Sequence, residues 1–298
     1  MAESYELVPR PPIPALPGTV IVRPDADQII ESLAADLLAH AFNCVRTFGD
    51  FHVALSGGST PVPLYQRLMI DPAYRNMPWT RTHLWIVDER RVPFDDDRSN
   101  FKMIEEIIGE HSGIPPEQVH PMFPLAEDAD EQYAAKLREV LGWREKGHDR
   151  LDFVLLGMGS DGHTASLFPG SPALRESLQL AGANGSPPAD SPSKVPLVRI
   201  NSGPAVTPPD RVTLMLPFIN ASRFIALLVT GSGKQAILER VVERSRRPFT
   251  PDLAEELPVL GLRPLAGELR WYLDFDACPP APATPPPGSG ASGPRAHS

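Results

Sequence analysis

Short, continuous apolar runs constrain the fold of this chain more than any other feature. Four of them end at polar or glycine-rich turns, at residues 51–55, 83–87, 151–156 and 224–229. Because a strand covered on both faces has no polar face, such runs are typical of a buried parallel sheet. Amphipathic segments with a period near 3.6 accompany them, at residues 28–42, 61–69, 130–141 and 234–243. The sequence therefore predicts an α/β fold, with a mainly parallel sheet flanked by helices on both faces.

The prolines indicate where the folded part begins and ends. The chain has 298 residues and 36 prolines, which cluster at residues 8–17, 187–209 and 279–298. Such segments bury too little apolar surface to offset the entropy lost on ordering. We therefore expect a flexible N-terminal arm at residues 1–17, one folded domain at residues 18–277, and a disordered Pro/Ala/Gly/Ser-rich tail at residues 278–298.

Charge and cysteine content exclude several classes of protein. The formal net charge of -9 disfavours nucleic acid or an anionic membrane as a partner. Neither a run of 18 apolar residues nor the apolar core of a signal peptide is present. Cys44 and Cys278 stand far apart without a Cys/His cluster, which indicates neither a disulfide framework nor a zinc site. A cytoplasmic protein is the natural expectation.

The segment after the first apolar run has the composition of an anion-binding turn. It reads Ser56-Gly57-Gly58-Ser59-Thr60-Pro61. The glycines let the backbone turn sharply and approach a ligand, Thr60 could cap the next helix, and Pro61 suits its first turn. Free amides at a helix N-terminus bind phosphate. An ordinary strand-to-helix turn would use the same residues, so this segment alone leaves both interpretations open.

Two further strand ends carry cations. Asp88-Glu89-Arg90-Arg91 follows the second apolar run, and Thr230-Gly231-Ser232-Gly233-Lys234 follows the last. Arginine offers a rigid fork of donors to phosphate, and Lys234 stands at a helix N-terminus. The last segment is not a nucleotide-binding P-loop, because Leu228 and Gln235 replace its first glycine and its Ser/Thr. A solvated charge run and a surface lysine are the alternatives.

The third strand end contains the candidate catalytic group. It reads Gly157-Met158-Gly159-Ser160-Asp161-Gly162-His163-Thr164. A histidine just past a buried strand and beside an aspartate is suited to act as a general base. Ser160 does not fit a nucleophile elbow, since the Gly-x-Ser-x-Gly motif would need glycine where Met158 stands. Water activated by His163 is the better candidate nucleophile.

These strand ends occur in a familiar order with several other segments. The matching segments are residues 56–61, Asp88-Glu89-Arg90 with Ser99-Asn100, residues 157–169, Arg211-Val212-Thr213-Leu214, residues 231–234 and residues 271–277. Together they closely resemble the 6-phosphogluconolactonase family. The resemblance implies a modified Rossmann-like fold shared with glucosamine-6-phosphate deaminase. It also implies hydrolysis of 6-phospho-D-glucono-1,5-lactone to 6-phosphogluconate in the oxidative pentose phosphate pathway, without a metal or organic cofactor. The expected partner is therefore a small phosphorylated sugar lactone, and the oligomeric state stays open.

The resemblance also assigns roles to individual residues. It makes His163 the general base that activates water, with Asp161 and nearby backbone amides holding the geometry and the oxyanion. It places the 6-phosphate on Arg90 and Lys234, with Arg211 as a weaker candidate. The loop that would complete the phosphate site consists of Ser56, Gly57, Gly58, Ser59 and Thr60.

The chain departs from the family pattern at two places, and three other functions remain as alternatives. The family often has a lysine where this chain has Ser202-Gly203-Pro204-Ala205, and the insertion at residues 182–193 is unlike the family. The alternatives are an isomerising deaminase on the same fold, a non-catalytic phosphosugar-sensing module and a serine esterase. The deaminases resemble Asp-Glu-Tyr at the second strand end, where this chain has Arg90. They also carry a glutamate before the proline of the histidine turn, where this chain has Phe168.

Overall fold

A computed structural model describes residues 10–145, 147–181 and 195–280. Residues 1–9 of the expected arm, the insertion at 182–193 and most of the expected tail lie outside the described residues. At the start of the described chain, the Trp271 indole donates a hydrogen bond to the Pro17 carbonyl at 2.8 Å. The Ser245 hydroxyl donates to the Ala15 carbonyl at 2.9 Å. These contacts attach residues 15–17 to the core.

The described residues form ten strands and nine helices. The strands are β1 (Thr19–Arg23), β2 (Phe51–Leu55), β3 (Thr82–Ile86), β4 (Asp88–Arg90), β5 (Val119–His120), β6 (Phe153–Leu156), β7 (Val198–Ser202), β8 (Asp210–Leu214), β9 (Phe224–Val229) and β10 (Glu268–Asp274). The helices are α1 (Ala26–Phe48), α2 (Val62–Ile70), α3 (Asn100–Ile104), α4 (Glu110–Ser112), α5 (Ala129–Leu141), α6 (Pro172–Ala181), α7 (Leu216–Ala221), α8 (Gln235–Ser245) and α9 (Pro251–Glu256). A π-helical turn, Glu105–Gly109, joins α3 to α4. None of the described helices is long and apolar enough to cross a lipid bilayer.

Seven strands form one parallel sheet in the order β1-β10-β9-β6-β2-β3-β5. From β2 the chain proceeds to β3 on one side, whereas from β6 it proceeds to β9 and β10 on the other. The sheet therefore reverses its winding direction between β2 and β6. The predicted α/β fold with a mainly parallel sheet is confirmed.

The central strands are buried along their whole length, which explains their continuous apolar sequences. Every residue of β2, β6 and β9 is buried. Phe153 and Phe224 are partners in the β6–β9 register, and their ring centroids lie 4.9 Å apart. Burying a side chain of this size stabilises the fold by about 1.5–3 kcal/mol.

A second, three-stranded antiparallel sheet corrects one prediction from the sequence. We expected Asp88-Glu89-Arg90 at the end of the second buried strand, but β3 ends at Ile86 and these residues form β4. The strand order of this sheet is β4-β8-β7. The buried Glu89 side chain accepts hydrogen bonds from the amides of Asn100 and Phe101, both at 2.7 Å. This contact joins β4 to the start of α3.

The expected cap of the helix after β2 is also wrong. Helix α2 begins at Val62, Pro61 occupies its N-cap position, and no side chain caps it. Thr60 stands one residue too early to cap this helix. The hydroxyl and amide of Thr60 are thus left for other contacts.

A buried ion cluster ties the amino ends of three central strands together. Asp152, fully buried just before β6, accepts from Arg144 at 2.7 and 2.9 Å and from the Arg223 Nε at 2.9 Å. It also accepts the backbone amide of His52 in β2 at 2.8 Å. Arg144 pairs in addition with Asp50, just before β2. Each ion in the cluster therefore has several partners to offset its desolvation.

Replacing Asp152 by Ala should lower the free energy of unfolding by about 3–5 kcal/mol, since it leaves the buried Arg144 guanidinium and the partly buried Arg223 guanidinium without their shared carboxylate. Urea denaturation measures the loss. Glu139→Ala is the matched control, because Glu139 forms an exposed salt bridge with Lys136. A loss of no more than about 1 kcal/mol for Asp152→Ala, the scale of a surface pair, would contradict the structural importance of the cluster.

Candidate active site

A cavity of about 310 Å³ opens where the sheet reverses its winding direction. Ligands of open α/β sheets bind at this position, beyond the carboxyl ends of the strands. The cavity lies between the turn after β2 and the turn after β6. Its lining includes Ser56, Gly57, Gly58, Ser59, Thr60, Asp88, Arg90, Asn100, Gly157, Met158, Gly159, His163, Ala165 and Lys234. Eight of the ten site residues predicted from the sequence line the cavity directly. The other two are Asp161, in the turn that bears His163, and Arg211, the register partner of Arg90.

The turn after β2 is fixed at its base and presents free amides at its tip. The Ser56 hydroxyl donates to the Leu155 carbonyl of β6 at 2.7 Å, and the Tyr65 hydroxyl donates to the Ser56 carbonyl at 2.6 Å. Gly58 has φ +88°, a conformation that favours glycine. Within the described residues, the amides of Gly58, Ser59 and Thr60 donate to no protein group. The turn can therefore offer three donors to an anion.

Two cations line the cavity without a carboxylate partner in the described part of the chain. One guanidinium nitrogen of Arg90 donates to the Arg98 carbonyl at 2.7 Å. Lys234 Nζ donates to the Met158 carbonyl at 2.7 Å. Burial lowers the pKa of Lys234, and the carboxylate of Asp161 offsets only part of this effect. An anion in the cavity would supply the missing countercharge.

Arg211 lies beside Arg90 but is not among the residues that line the cavity. The two residues are partners in the β4–β8 register, so their side chains share one face of the second sheet. Arg211 is 6% exposed, and its nearest described acceptor is the Asp210 carbonyl at 3.5 Å. Burial lowers the pKa of Arg211, the Asp88 carboxylate opposes this shift, and the charge of Arg90 adds to it. Arg211 therefore lies next to Arg90 on the same face of the second sheet without lining the cavity.

His163 and Asp161 form a close pair at the edge of the cavity. His163 Nδ1 lies 2.6 Å from Asp161 Oδ1, and the same oxygen accepts the His163 backbone amide at 3.0 Å. A carboxylate can only accept, so Nδ1 carries the proton and Nε2 keeps its lone pair. Burial raises the pKa of Asp161. The hydrogen bonds from the His163 ring and amide, together with the charge that the ring carries when it is protonated, outweigh this effect and hold the pKa of Asp161 below its usual value.

The glycines of this turn are required by close contacts with the histidine. A Cβ at Gly159 would lie 2.2 Å from two atoms of the His163 ring. Gly162 has φ +86°, and a Cβ there would lie 2.8 Å from Leu257. The Gly159 amide donates to the His163 carbonyl, and the Gly162 amide donates to the Gly159 carbonyl. The turn therefore holds His163 through its own backbone as well as through Asp161.

Sequence reasoning assigned no role to three residues that line the cavity, Asp88, Asn100 and Ala165. Asn100 Nδ2 donates to the Asp88 carbonyl at 2.6 Å, and its buried Oδ1 has no partner in the described chain. A Cβ at Gly57 would lie 1.7 Å from this oxygen, so Asn100 also packs directly on the turn after β2. Asp88 and Asn100 belong to the matching motifs, which was the available signal. Ala165 also belongs to a matching segment, residues 157–169.

One group of side chains far from the cavity has the composition of a metal site. Donor atoms of Asp50, His52 and His83 lie within 4.8 Å of one another, at the amino ends of the strands. However, Trp85 Nε1 donates to His52 Nδ1 at 3.1 Å, so His52 Nε2 carries the proton and donates to Asp50. The Arg144 guanidinium also pairs with Asp50. A protonated ligand nitrogen and an adjacent cation do not fit a metal ion.

Comparison with known proteins places the chain among phosphosugar enzymes. Residues 24–271 match the family model described as glucosamine-6-phosphate isomerases/6-phosphogluconolactonase. The chain is 34% identical to the 6-phosphogluconolactonase of Rattus norvegicus over 87% of its own length and 91% of that protein. A solved structure of 6-phosphogluconolactonase from Trypanosoma brucei has a TM-score of 0.67 and 25% identity, and covers 88% of this chain and 98% of that chain.

Some relatives are much longer than this chain. It is 38% identical to the GDH/6PGL endoplasmic bifunctional protein of Homo sapiens over 85% of its own length, but it spans only 29% of that protein. The corresponding protein of Oryctolagus cuniculus is 37% identical, and the chain again spans 29% of it. The family model nevertheless covers most of the folded part described above. The chain belongs to the glucosamine-6-phosphate isomerase/6-phosphogluconolactonase family.

Proposed function

We propose that this protein hydrolyses 6-phospho-D-glucono-1,5-lactone to 6-phosphogluconate. The observation that carries the proposal is the His163–Asp161 pair, which leaves Nε2 of His163 available as a base at the edge of the cavity. Arg90 and Lys234 line the same cavity and have no carboxylate partner among the described residues. Lactone opening needs one base, a water molecule, a site for the oxyanion and, for this substrate, a site for the phosphate. The relatives named 6-phosphogluconolactonase support the same activity.

In the proposed mechanism, His163 Nε2 removes a proton from water as the water attacks the lactone carbonyl. Asp161 accepts from Nδ1 and stabilises the imidazolium that forms. The amides of Gly159 and Gly162 are already used within the turn, so they are not available to the oxyanion. We assign that contact to the amides of Gly157 and Met158, which line the cavity.

The phosphate would lie where Arg90, Lys234 and the turn after β2 line the cavity. Arg90 can donate two parallel hydrogen bonds to it, and Lys234 contributes a point charge. The free amides of Gly58, Ser59 and Thr60 at the start of α2 complete the site, with Ser56 and Gly57 supporting the turn. Arg211, beside Arg90, would add long-range attraction. These contacts replace the lysine that the family often has near Ala205.

A single carboxylate beside the histidine favours the lactonase over a deaminase. In the deaminases that this chain resembles, a glutamate precedes the proline of the histidine turn. Here Phe168 holds that place, and its ring packs edge-on against His163 with centroids 4.9 Å apart. An apolar ring cannot transfer the additional protons that deamination and isomerisation require.

The substrate test compares two reactions. The protein should accelerate proton release from freshly generated 6-phosphogluconolactone above the spontaneous rate. It should release no ammonia from glucosamine 6-phosphate, because the described residues that line the cavity include one histidine and no glutamate. A pH-stat and an ammonia assay measure the two rates. Ammonia release at a comparable rate without lactone acceleration would falsify the proposal.

Replacing His163 by Ala should lower kcat by about 10²–10⁴-fold, the usual contribution of a general base. Hydrolysis of the phosphorylated lactone measures the loss, and the melting temperature checks the fold. His111→Ala is the matched control, because His111 is exposed on α4. Full activity of His163→Ala would remove this residue from the mechanism.

Replacing Arg90 or Lys234 by Ala should weaken binding of the phosphorylated lactone by about 10–100-fold, since each removes a charged hydrogen bond worth about 1.5–3 kcal/mol. Unphosphorylated gluconolactone should lose far less. Steady-state kinetics on both lactones give the ratio, with the exposed Arg240→Ala as control. Equal losses on both lactones would mean that these cations do not bind the phosphate.

Domain boundaries and location also remain proposals. We propose residues 18–277 as the catalytic domain, since β1 begins at Thr19 and the last strand ends at Asp274.

A cytoplasmic location is supported by Cys44 and Cys278, which are both buried and unpaired. Relatives described as endoplasmic and chloroplastic indicate that location varies within the family.

A further inference from the structure

One buried residue in the turn after His163 is bonded to all three strands of the second sheet. The Ser166 hydroxyl donates to Asp88 of β4. Its amide donates to Thr213 Oγ1 of β8 at 3.1 Å. Its carbonyl accepts from Asn201 Nδ2 of β7 at 2.7 Å. Ser166 is 1% exposed, so no water competes for these bonds. Every polar group of this residue is therefore held by the second sheet.

The three partners lie on one face of that sheet. Asp88 and Thr213 are partners in the β4–β8 register. Asn201 pairs with Arg211, which is two residues from Thr213 along β8 and therefore on the same face. Because side chains alternate along a strand, Asp88 shares this face with Arg90. The hydrogen bond between Ser166 and Asp88 thus links the turn that bears His163 to the strand that bears Arg90.

The residue next to Ser166 has a strained backbone conformation. Ala165 has φ +49°, the only positive φ of a non-glycine residue in the described chain. Such a conformation persists only where the surrounding structure enforces it, and it concentrates at functional sites. The Thr164 hydroxyl holds the other side of Ala165 by donating to the Gly157 carbonyl at 3.0 Å. Ala165 itself lines the cavity.

The turn continues from Ser166 back to the histidine ring. Phe168, two residues later, packs edge-on against His163. Gly203 allows this contact, because a Cβ at that position would lie 2.5 Å from the Phe168 ring. The His163 ring is thus held by Asp161 from one side and by Phe168 from the other. A shift of Ser166 would move Phe168 and, through it, the imidazole.

We propose that Ser166 is a positioning residue, which uses its three bonds to the second sheet to hold His163 at a fixed distance from the Arg90 side of the cavity. This inference rests on the proposed lactonase function. Ser166 would not touch the substrate, since it acts through His163 and Phe168. A displacement of about 1 Å between a reacting group and its substrate can cost about 10²-fold in rate. Loss of one of three bonds should therefore reduce kcat by about 10-fold.

Ser166→Ala tests the proposal, because it removes only the bond to Asp88. We expect kcat for the phosphorylated lactone to fall by about 10-fold. KM and the Kd for 6-phosphogluconate, measured by calorimetry, should stay within about twofold, because the phosphate site is intact. Ser177→Ala is the matched control. Ser177 is also fully buried and accepts the Leu216 amide at 3.3 Å, but it lies outside the cavity. We expect it to lose thermal stability similarly and to keep kcat.

Thr213→Val provides a second variant of equal shape, in case Ser166→Ala does not fold. It removes the acceptor of the Ser166 amide and should lower kcat in the same direction without changing product affinity. Wild-type kcat in both variants would overturn the proposal. So would an equal loss of kcat in Ser177→Ala, or a loss of product affinity in step with kcat. A wild-type protein that does not accelerate lactone opening would instead refute the proposed function itself.

Discussion

The parallel pairing of β2 with β6 is the constraint on which the rest of the site depends. These neighbouring strands are bound together at their amino ends by Asp152, which accepts from His52, Arg144 and Arg223. At their carboxyl ends the chain leaves in opposite directions, because β3 and β9 lie on opposite sides. The two turns must therefore separate, and the gap between them is the cavity. The backbone must turn sharply where it leaves each of these strands, which explains the glycines in the turns after β2 and β6.

A parallel sheet alone would leave this cavity open on one side, and the second sheet supplies the missing wall. Its first strand contributes Asp88 and Arg90 to the lining, while Glu89, facing the other way, holds the start of α3. Because side chains alternate along the strand, two of these three charged residues face the cavity and the third faces α3. Because the wall is itself hydrogen-bonded to the turn after β6, the proposed base and the proposed phosphate site are directly connected.

Local patterns predicted the parallel sheet and much of the site, whereas long-range contacts could not be predicted. The buried runs identified β2, β3, β6 and β9, and the glycine turns indicated two of the loops that line the cavity, one of which bears His163. Strand β4 has three charged residues and no periodic signal, so its place in a second sheet was missed. Thr60 was predicted to cap α2, but the helix begins one residue later than that cap would require. The partners of Ser166 come from strands 35 to 78 residues away in sequence, a separation that no local pattern encodes.

The charge of the protein and the charge of the proposed substrate have the same sign, so recognition must depend on local pairing. Arg270, for example, is neutralised by Asp36 and Glu268. Arg90 and Lys234 instead donate to carbonyl oxygens, which carry no net charge. Burial without a counterion costs free energy, and the lowered pKa of Lys234 reflects that cost. A bound phosphate would remove this cost, whereas an uncharged lactone would not. The net negative charge of the protein would disfavour binding of larger polyanions. Arg90 and Lys234 would favour binding of a small phosphate ester.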